Sequence, residues 1–124
     1  IILLASCQST HQYPAAADAL DAAREFIDAS IRGDFEKANA YLLQDEKNKQ
    51  LLKEEEEKYR AKTNAQQKQL SESSLQNISI EEVSAKETIV KFKNSMDKAS
   101  RKVKVISVNN RWLVDFKYSF NPNL

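Results

Sequence analysis

The chain has 124 residues, a length that suits one domain with a single hydrophobic core. Its 19 basic and 18 acidic residues leave a formal net charge of +1, which gives no general electrostatic reason to bind nucleic acid. A single glycine excludes a phosphate-binding loop built on several glycines, and one cysteine with one histidine is too few for a His/Cys metal site. We therefore expect no cofactor, no metal and no nucleic-acid partner.

The first residues differ from the rest of the chain in being apolar. Ile1–Leu4 have the character of the last part of the apolar region of a secretory signal. Leu4-Ala5-Ser6-Cys7 resembles the lipobox of bacterial lipoproteins at all four positions. The resemblance implies diacylglycerol on the Cys7 sulfur and cleavage before Cys7, so that acyl chains anchor the protein to a membrane. The alternative is an apolar N-terminal strand with an ordinary buried cysteine.

This resemblance also gives an expected domain division and location. Residues 1–6 would be a signal-peptide remnant, 7–14 a lipidated tether, 15–120 the folded domain and 121–124 a tail. The residue after the cysteine is Gln8 rather than Asp, which favours the outer over the inner membrane of a bacterial cell envelope.

Helices are predicted for the first part of the domain. From Pro14 onwards, apolar residues recur at three- and four-residue spacings as far as Ile31, which predicts an amphipathic helix. Gly33 suits a helix C-terminus, and Asp34 can cap a second helix. Asp45–Ser74 is interpreted as a third helix, in which the final stretch AKTNAQQKQLSESS is a solvated helix end, a flexible connection or both.

At Leu75 the apolar period changes from about 3.6 to 2, which predicts strands. Four strands in meander order follow, and the last one is RWLVDFKYSF after a tight turn at Asn109-Asn110. Helices followed by antiparallel strands predict an α+β fold, with two or three helices packed on one face of a curved four-stranded sheet. The residues expected on the covered face are Val90, Phe92, Val103, Val105, Trp112, Val114 and Phe116. Those expected on the other face are Lys91, Lys93, Lys102, Lys104 and Lys117.

The helix pair AAREFIDASIRGDFEKANAYL and the final hairpin NNRWLVDF resemble the nuclear transport factor 2-like superfamily. The likeness is in particular to small lipoproteins with cystatin-like or lumazine-binding-like domains. The matching residues are Phe26, Ile27, Gly33, Asp34, Ala40, Tyr41, Leu42 and Trp112. The resemblance implies a cone-like sheet around a long helix, with an apolar pocket at the open end. Some members are enzymes and others only bind ligands or partners, so the fold does not choose between these functions.

Two binding surfaces follow as candidates. An apolar pocket could be lined by Phe26, Tyr41, Phe92, Trp112 and Phe116, although aromatic residues on a covered face are more often core. A basic sheet face could be formed by Lys91, Lys93, Arg101, Lys102 and Lys104. That face could meet an acidic partner, a glycan or lipid head groups, or it could simply keep the protein soluble.

No catalytic constellation is evident in the domain. The resemblance to isomerase-like and cyclase-like enzymes points to Tyr41, Asp115 or Tyr118 as acid/base groups. Strand alternation, however, places Asp115 on the face opposite Trp112 and away from a pocket. We therefore expect a non-enzymatic, membrane-anchored binding or accessory module for a small molecule or an envelope protein. The alternatives are an isomerase-like or cyclase-like enzyme, or an interaction protein that docks through the helix from Asp45 to Leu70.

Overall fold

The structure is a computed structural model, and it describes residues 12–124. Cys7, the lipobox-like stretch and most of the expected tether lie outside the described residues and stay predictions. Within 12–124, four α-helices precede a four-stranded antiparallel sheet that does not close on itself, and a short 3-10 helix follows. The predicted α+β class is confirmed, with four helices instead of two or three.

The elements have the following bounds. The helices are α1 (Ala19–Ile31), α2 (Phe35–Ala40), α3 (Glu46–Arg60) and α4 (Asn64–Ser71). The strands are β1 (Leu75–Ser84), β2 (Glu87–Asn94), β3 (Ser100–Val108) and β4 (Arg111–Asp115), and the 3-10 helix spans Phe116–Ser119. The strands form a meander in the order β1-β2-β3-β4, as the alternation predicts. Helix α1 packs on β3 and β4, and we call the side of the sheet that it covers the inner face.

Helix α1 lies close to the sheet because its buried face is made mostly of small residues. Ala22 and Ala23, then Phe26 and Ala29, recur at three- and four-residue spacings, and all four are at most 2% exposed. The helix starts at Ala19 rather than near Pro14, because the Asp18 side chain accepts a hydrogen bond from the Asp21 N–H and caps it. Phe26, the aromatic side chain on this face, therefore decides where α1 meets the neighbouring aromatic residues.

The junction between α1 and α2 has the form that the sequence predicts. Gly33 has φ +78°, its N–H donates to the Ser30 carbonyl, and the Asp34 N–H donates to the Ala29 carbonyl at 2.8 Å. This is the Schellman arrangement, in which the left-handed residue satisfies carbonyls that the helix leaves open. The Asp34 carboxylate then accepts from the Lys37 N–H and starts α2.

The expected third helix is in fact two helices. Asp45 caps α3 by accepting from the Asn48 N–H at 2.7 Å, and α3 ends at Arg60. Thr63 and Gln66 then form a reciprocal capping box that starts α4. The prediction of one helix was wrong at residues 61–63, because a new N-cap there competes with continuation of the old helix.

The strand register divides the sheet residues between two faces. Directly opposite residues share a face, so Val90 with Val103, and Val105 with Val114, lie on the inner face. The turn between β3 and β4 is at Asn109 and Asn110, which have φ 52° and 63°, as a two-residue hairpin requires. The inner face therefore carries the apolar row that the alternation predicts.

The last strand is shorter than predicted. Alternation extends the pattern to Phe120, yet β4 ends at Asp115 because the Asn48 side chain, on α3, accepts a hydrogen bond from the Lys117 N–H at 2.7 Å. The chain turns into the 3-10 helix at that point. Phe116 still faces inwards and lies edge-on to Phe26, with ring centroids 5.1 Å apart. Lys117 does not lie on the outer face of a strand, and that prediction was wrong.

The two edge strands of the sheet, β1 and β4, differ in how their free edges are covered. Residues 41–43 cover the free edge of β4: the Val114 N–H donates to the Tyr41 carbonyl, and the Leu43 N–H donates to the Val114 carbonyl, both at 2.8 Å. Strand β1 has no such cover among the described residues, and its Ile80 and Val83 are each 49% exposed.

Replacement of Gly33 by Ala tests the helix junction. Alanine is strained at φ +78°, and its Cβ would lie less than 3 Å from the Tyr59 ring. We expect Gly33→Ala to lower the free energy of unfolding by about 1–3 kcal/mol, measured by urea denaturation. In a Tyr59→Leu background the same change should cost less, since only the backbone strain remains; an equal cost in both backgrounds would show that the ring contact contributes nothing.

Candidate functional site

A cavity of about 840 Å³ lies between the inner face of the sheet and the helices, and it is partly open to solvent. Its size falls within the range of roughly 300–1,000 Å³ that is usual for small-molecule sites. Most of the lining surface is apolar. The main apolar lining residues are Phe26, Ile31, Phe35, Phe92, Phe116 and Phe120. Two of these aromatic rings, Phe116 and Phe120, come from the 3-10 helix and its end, so the turn at Asp115 is what brings them to the cavity.

The cavity exists because the apolar face of α3 ends halfway along the helix. Leu51 and Leu52 are buried, whereas Glu54–Glu57, which follow shortly after them, are all acidic. Beyond them, Tyr59 is the large apolar side chain that α3 contributes to the cavity wall. Its ring lies against Gly33 and edge-on to Phe35, with ring centroids 5.8 Å apart. The second half of α3 therefore walls the space without filling it.

Three of the five predicted pocket residues line this cavity and two do not. Phe26, Phe92 and Phe116 are in its wall. Tyr41 is 1% exposed and lies in the core, where its hydroxyl donates to the Pro14 carbonyl at 2.7 Å and burial raises its pKa. Trp112 packs against the hydrophobic core from β4. Tyr41 is therefore a core residue, and Trp112 is a partly buried residue at the edge of the core.

The mouth of the cavity carries charged side chains. Arg101 and Asp97 form an ion pair in which Nη1 lies 3.0 Å from Oδ1 and Nη2 lies 2.6 Å from Oδ2. The hydrogen bonds from Arg101 hold the pKa of the Asp97 carboxyl well below its usual range. From α3, Glu55 and Lys58 approach within 3.7 Å of each other, and Lys62 also borders the opening.

The five predicted basic-face residues do not form one surface. Lys91 lies opposite Lys102, and these two share the outer face with Lys93 by alternation. Arg101 lies opposite Phe92 and is therefore on the inner face, so its assignment to the basic face was wrong. The reason is the period of two, which separates neighbours along a strand.

Lys104 lies on the outer face but is only 9% exposed. Its ammonium donates to the Leu124 carbonyl at 2.8 Å, lies 3.5 Å from a Glu87 carboxylate oxygen, and sits 4.7 Å from the centre of the Tyr118 ring. The Lys104 ammonium is therefore already bound by a carbonyl, a carboxylate and an aromatic ring of this chain. Of the outer-face lysines, Lys91 of β2 is exposed, and its ammonium lies 3.6 Å from a Glu81 carboxylate oxygen.

None of the three acid/base candidates lines the cavity. Asp115 points to the outer side, as alternation predicts, but it is 7% exposed rather than solvent-facing. It accepts hydrogen bonds from Asn48 Nδ2 at 3.0 Å and from Lys117 Nζ at 2.6 Å. Tyr118 is buried beside the lysines of the outer face. A carboxylate and a phenol from this set therefore do not converge in one cavity.

Asp115 belongs to a polar cluster formed by Asp45, Asn48, Asp115 and Lys117. Lys117 Nζ lies 2.8 Å from Asp45 Oδ2, and Asn48 is fully buried between the two carboxylates. Burial alone would raise the pKa of Asp45, but hydrogen bonds from Lys117 and Asn48 outweigh it and lower that pKa. For Lys117 burial acts downwards, and the bonds to both carboxylates outweigh it and raise the pKa. The cluster joins α3 to the end of β4.

Sequence reasoning missed the residues that close the mouth of the cavity. Tyr59 of α3 and Asp97 of the turn between β2 and β3 both line the cavity, and neither was a candidate site residue. A signal was present in the spacing of Asp97 and Arg101, because four residues across a tight turn bring an acid and a base together. The alternation of side chains along β3 was a second signal. It requires residues 101, 103 and 105 to share a face, which places Arg101 beside the apolar row.

A scan against protein-family models and a search of curated proteins give no match for this chain. Within residues 12–124, no helix is long and apolar enough to cross a membrane. The same residues contain no cluster of three or more His, Cys, Asp or Glu side chains that could hold a metal ion. The feature of the described residues that bears most directly on function is the cavity on the inner face of the sheet.

Replacement of Lys117 by Met tests the polar cluster through its pH dependence. The Asp45 carboxyl has a lowered pKa in the folded protein, so its contribution to stability is complete above its unfolded pKa of about 3.9 and is lost as the pH falls through the folded value. We expect the difference in urea midpoint between wild type and Lys117→Met to be constant from about pH 7 to 5 and to shrink below about pH 4. A difference that is independent of pH down to about pH 2 would contradict this account.

Proposed function

We propose that this domain is a non-enzymatic binding module that holds a small apolar or amphipathic molecule in the cavity on the inner face of the sheet. The observation that carries the proposal is the cavity itself: about 840 Å³, partly open, with aromatic walls from α1, β2 and the 3-10 helix. Such walls favour transfer of an apolar group from water at roughly 25 cal/mol per Å² buried. The resemblance of the sequence to nuclear transport factor 2-like proteins agrees with a pocket in this place.

Catalysis of an isomerase-like or cyclase-like kind is not part of the proposal. The groups that it requires lie in the core, in the Asp45 cluster and on the outer face. Other acidic groups do border the cavity, but Asp97 is held as an anion by Arg101, and Glu55 lies 3.7 Å from Lys58. The Tyr59 ring serves as a wall between Gly33 and Phe35.

The proposal includes attachment of the domain to a bacterial envelope membrane through lipid on Cys7. It rests on the match of Leu4-Ala5-Ser6-Cys7 to a lipobox and on the polar residues that follow. Mass spectrometry of the N-terminal peptide, from protein purified from bacterial membranes, tests the anchor. A diacylglyceryl-modified Cys7 at the mature N-terminus is expected, and an unmodified Cys7 within a longer chain would contradict it.

Occupation of the cavity can be tested with a neutral fluorescent probe and a substitution that fills space. We expect N-phenyl-1-naphthylamine to bind with a blue-shifted, enhanced emission, because the aromatic walls shield it from water. Ser30 borders the cavity from α1, and its hydroxyl bonds only within the helix, to the Phe26 carbonyl. Ser30→Phe should therefore weaken binding about tenfold or more, equivalent to at least ~1.4 kcal/mol.

The matched control is Arg24→Phe, which adds the same side chain at an exposed position of the same helix outside the cavity. It should leave the affinity unchanged. Circular dichroism and urea midpoints confirm that both variants fold. If the probe fails to bind the wild type, or if the two variants weaken binding equally, the cavity is not the binding site.

A further inference from the structure

The inner row of β3 contains one residue that does not fit an apolar face. Arg101, Val103 and Val105 share that face, and Arg101 lies directly opposite Phe92 of β2. Both Phe92 and Arg101 border the cavity. A guanidinium therefore stands at the mouth of a cavity whose walls are apolar, beside one of the aromatic rings that form those walls.

The guanidinium already binds a carboxylate. Asp97, in the turn between β2 and β3, meets it with two parallel hydrogen bonds of 3.0 and 2.6 Å. This two-pronged geometry is the one in which arginine recognises carboxylates. The Asp97 side chain is thus a carboxylate from the chain itself in the place where a carboxylate from a ligand would bind.

The pair is accessible and exchangeable. The Arg101 and Asp97 side chains are 46% and 40% exposed, and exposed ion pairs contribute little to stability. Asp97 has a second partner, the Ala99 N–H at 2.9 Å, which would keep the turn in place if the guanidinium moved to another anion. Exchange of Asp97 for an external carboxylate therefore requires no rearrangement of the fold.

The remaining charges at the mouth also favour an anion. Lys58 lies near the end of α3, Lys62 follows in the connection to α4, and Glu55 is the one carboxylate that α3 adds to the lining. With Arg101 and Asp97, and with Lys91, Lys93 and Lys102 of the strands, the residues that line the cavity include six cations and two anions. When a ligand carboxylate replaces Asp97 on Arg101, Lys58 and Lys62 attract it further, since their charges lie around the same opening.

From this arrangement we infer that the cavity binds a single-chain amphiphile with a carboxylate head, whose head group is bound by Arg101 in competition with Asp97. The apolar chain lies against the aromatic walls, and the head stays at the mouth. This inference rests on the proposed function of the cavity and names its ligand class. It makes Asp97 an internal competitor, so that its removal should strengthen binding while removal of Arg101 should weaken it.

The test uses two matched fluorescent probes, 11-(dansylamino)undecanoic acid and its methyl ester. In wild type at low salt we expect the acid to bind more tightly than the ester. Arg101→Gln should weaken acid binding about tenfold, and Asp97→Asn should strengthen it about threefold or more, because the introduced amide can still accept from the Ala99 N–H but no longer competes as an anion. The ester should bind all three proteins within about twofold.

Charge-matched controls separate this contact from a general field. Arg24→Gln removes one positive charge from an exposed site on α1, and Glu46→Gln removes one negative charge from the opposite end of α3. Neither side chain borders the cavity, so both should leave the ratio of acid to ester affinity unchanged. Urea midpoints of all variants should stay close to wild type, since the affected side chains are exposed.

The outcomes are distinct. Equal affinity for acid and ester, unchanged by Arg101→Gln, would overturn the head-group contact while leaving the cavity as a binding site for neutral molecules. Weaker acid binding in both Asp97→Asn and Arg101→Gln would overturn the competition, because Asp97 would then position the guanidinium. Failure of acid, ester and neutral naphthylamine probe alike would overturn the proposed function itself.

Discussion

The buried amide of Asn48 is the contact on which the rest of the architecture depends. It is fully buried on the first turn of α3, donates to Asp115 and accepts from the Lys117 N–H, 67 and 69 residues further along the chain. An unpaired amide in this position would cost about 1–3 kcal/mol, so both bonds must form together. They end β4, fix α3 at the end of the sheet and start the 3-10 helix. Phe116 faces the cavity and Tyr118 the outer face because of that turn.

The cavity exists because apolar residues are unevenly distributed among the helices around Asn48. The alanines of α1 allow the helix to lie close to β3 and β4, and Ala22 and Ala23 are fully buried there. Helix α3, by contrast, runs into four glutamates, and Tyr59 is the only aromatic side chain that it adds to the cavity wall. A helix with leucines in those positions would have closed the space. The opening is therefore encoded by the absence of apolar residues from one half of a helix whose other half is anchored at Asn48.

Local patterns were sufficient for most of the fold and insufficient for the site. The three- and four-residue spacing of α1, the Gly33-Asp34 junction and the Asn109-Asn110 turn each depend on residues close in sequence, and the structure confirms them. The predicted extension of β4 to Phe120 was wrong. The apolar alternation continues through Trp112, Val114 and Phe116 and so gives no sign of a strand end, and the residue that ends the strand, Asn48, lies far away in the sequence on α3. Tyr41 was predicted to line the pocket, but its hydroxyl bonds to the Pro14 carbonyl in the core. No periodic pattern in the sequence predicts that contact. The assignment of Arg101 to the same face as Lys102 and Lys104 was a different kind of error. Side chains alternate between the two faces along β3, so the sequence alone places Arg101 on the face opposite to these lysines.

Arg101 and the open cavity depend on each other energetically. A guanidinium on the inner face of a sheet would be costly if α3 closed over it, because a buried charge loses several kcal/mol of hydration even when it is paired. At the mouth of an open cavity the same group keeps contact with water, and its pair with Asp97 needs to contribute almost nothing to stability. A valine at position 101 would extend the apolar row of Val103 and Val105 and favour closure. The arginine thus keeps the mouth polar, and the polar second half of α3 keeps it open, so that folding alone leaves a charged entrance to an apolar space.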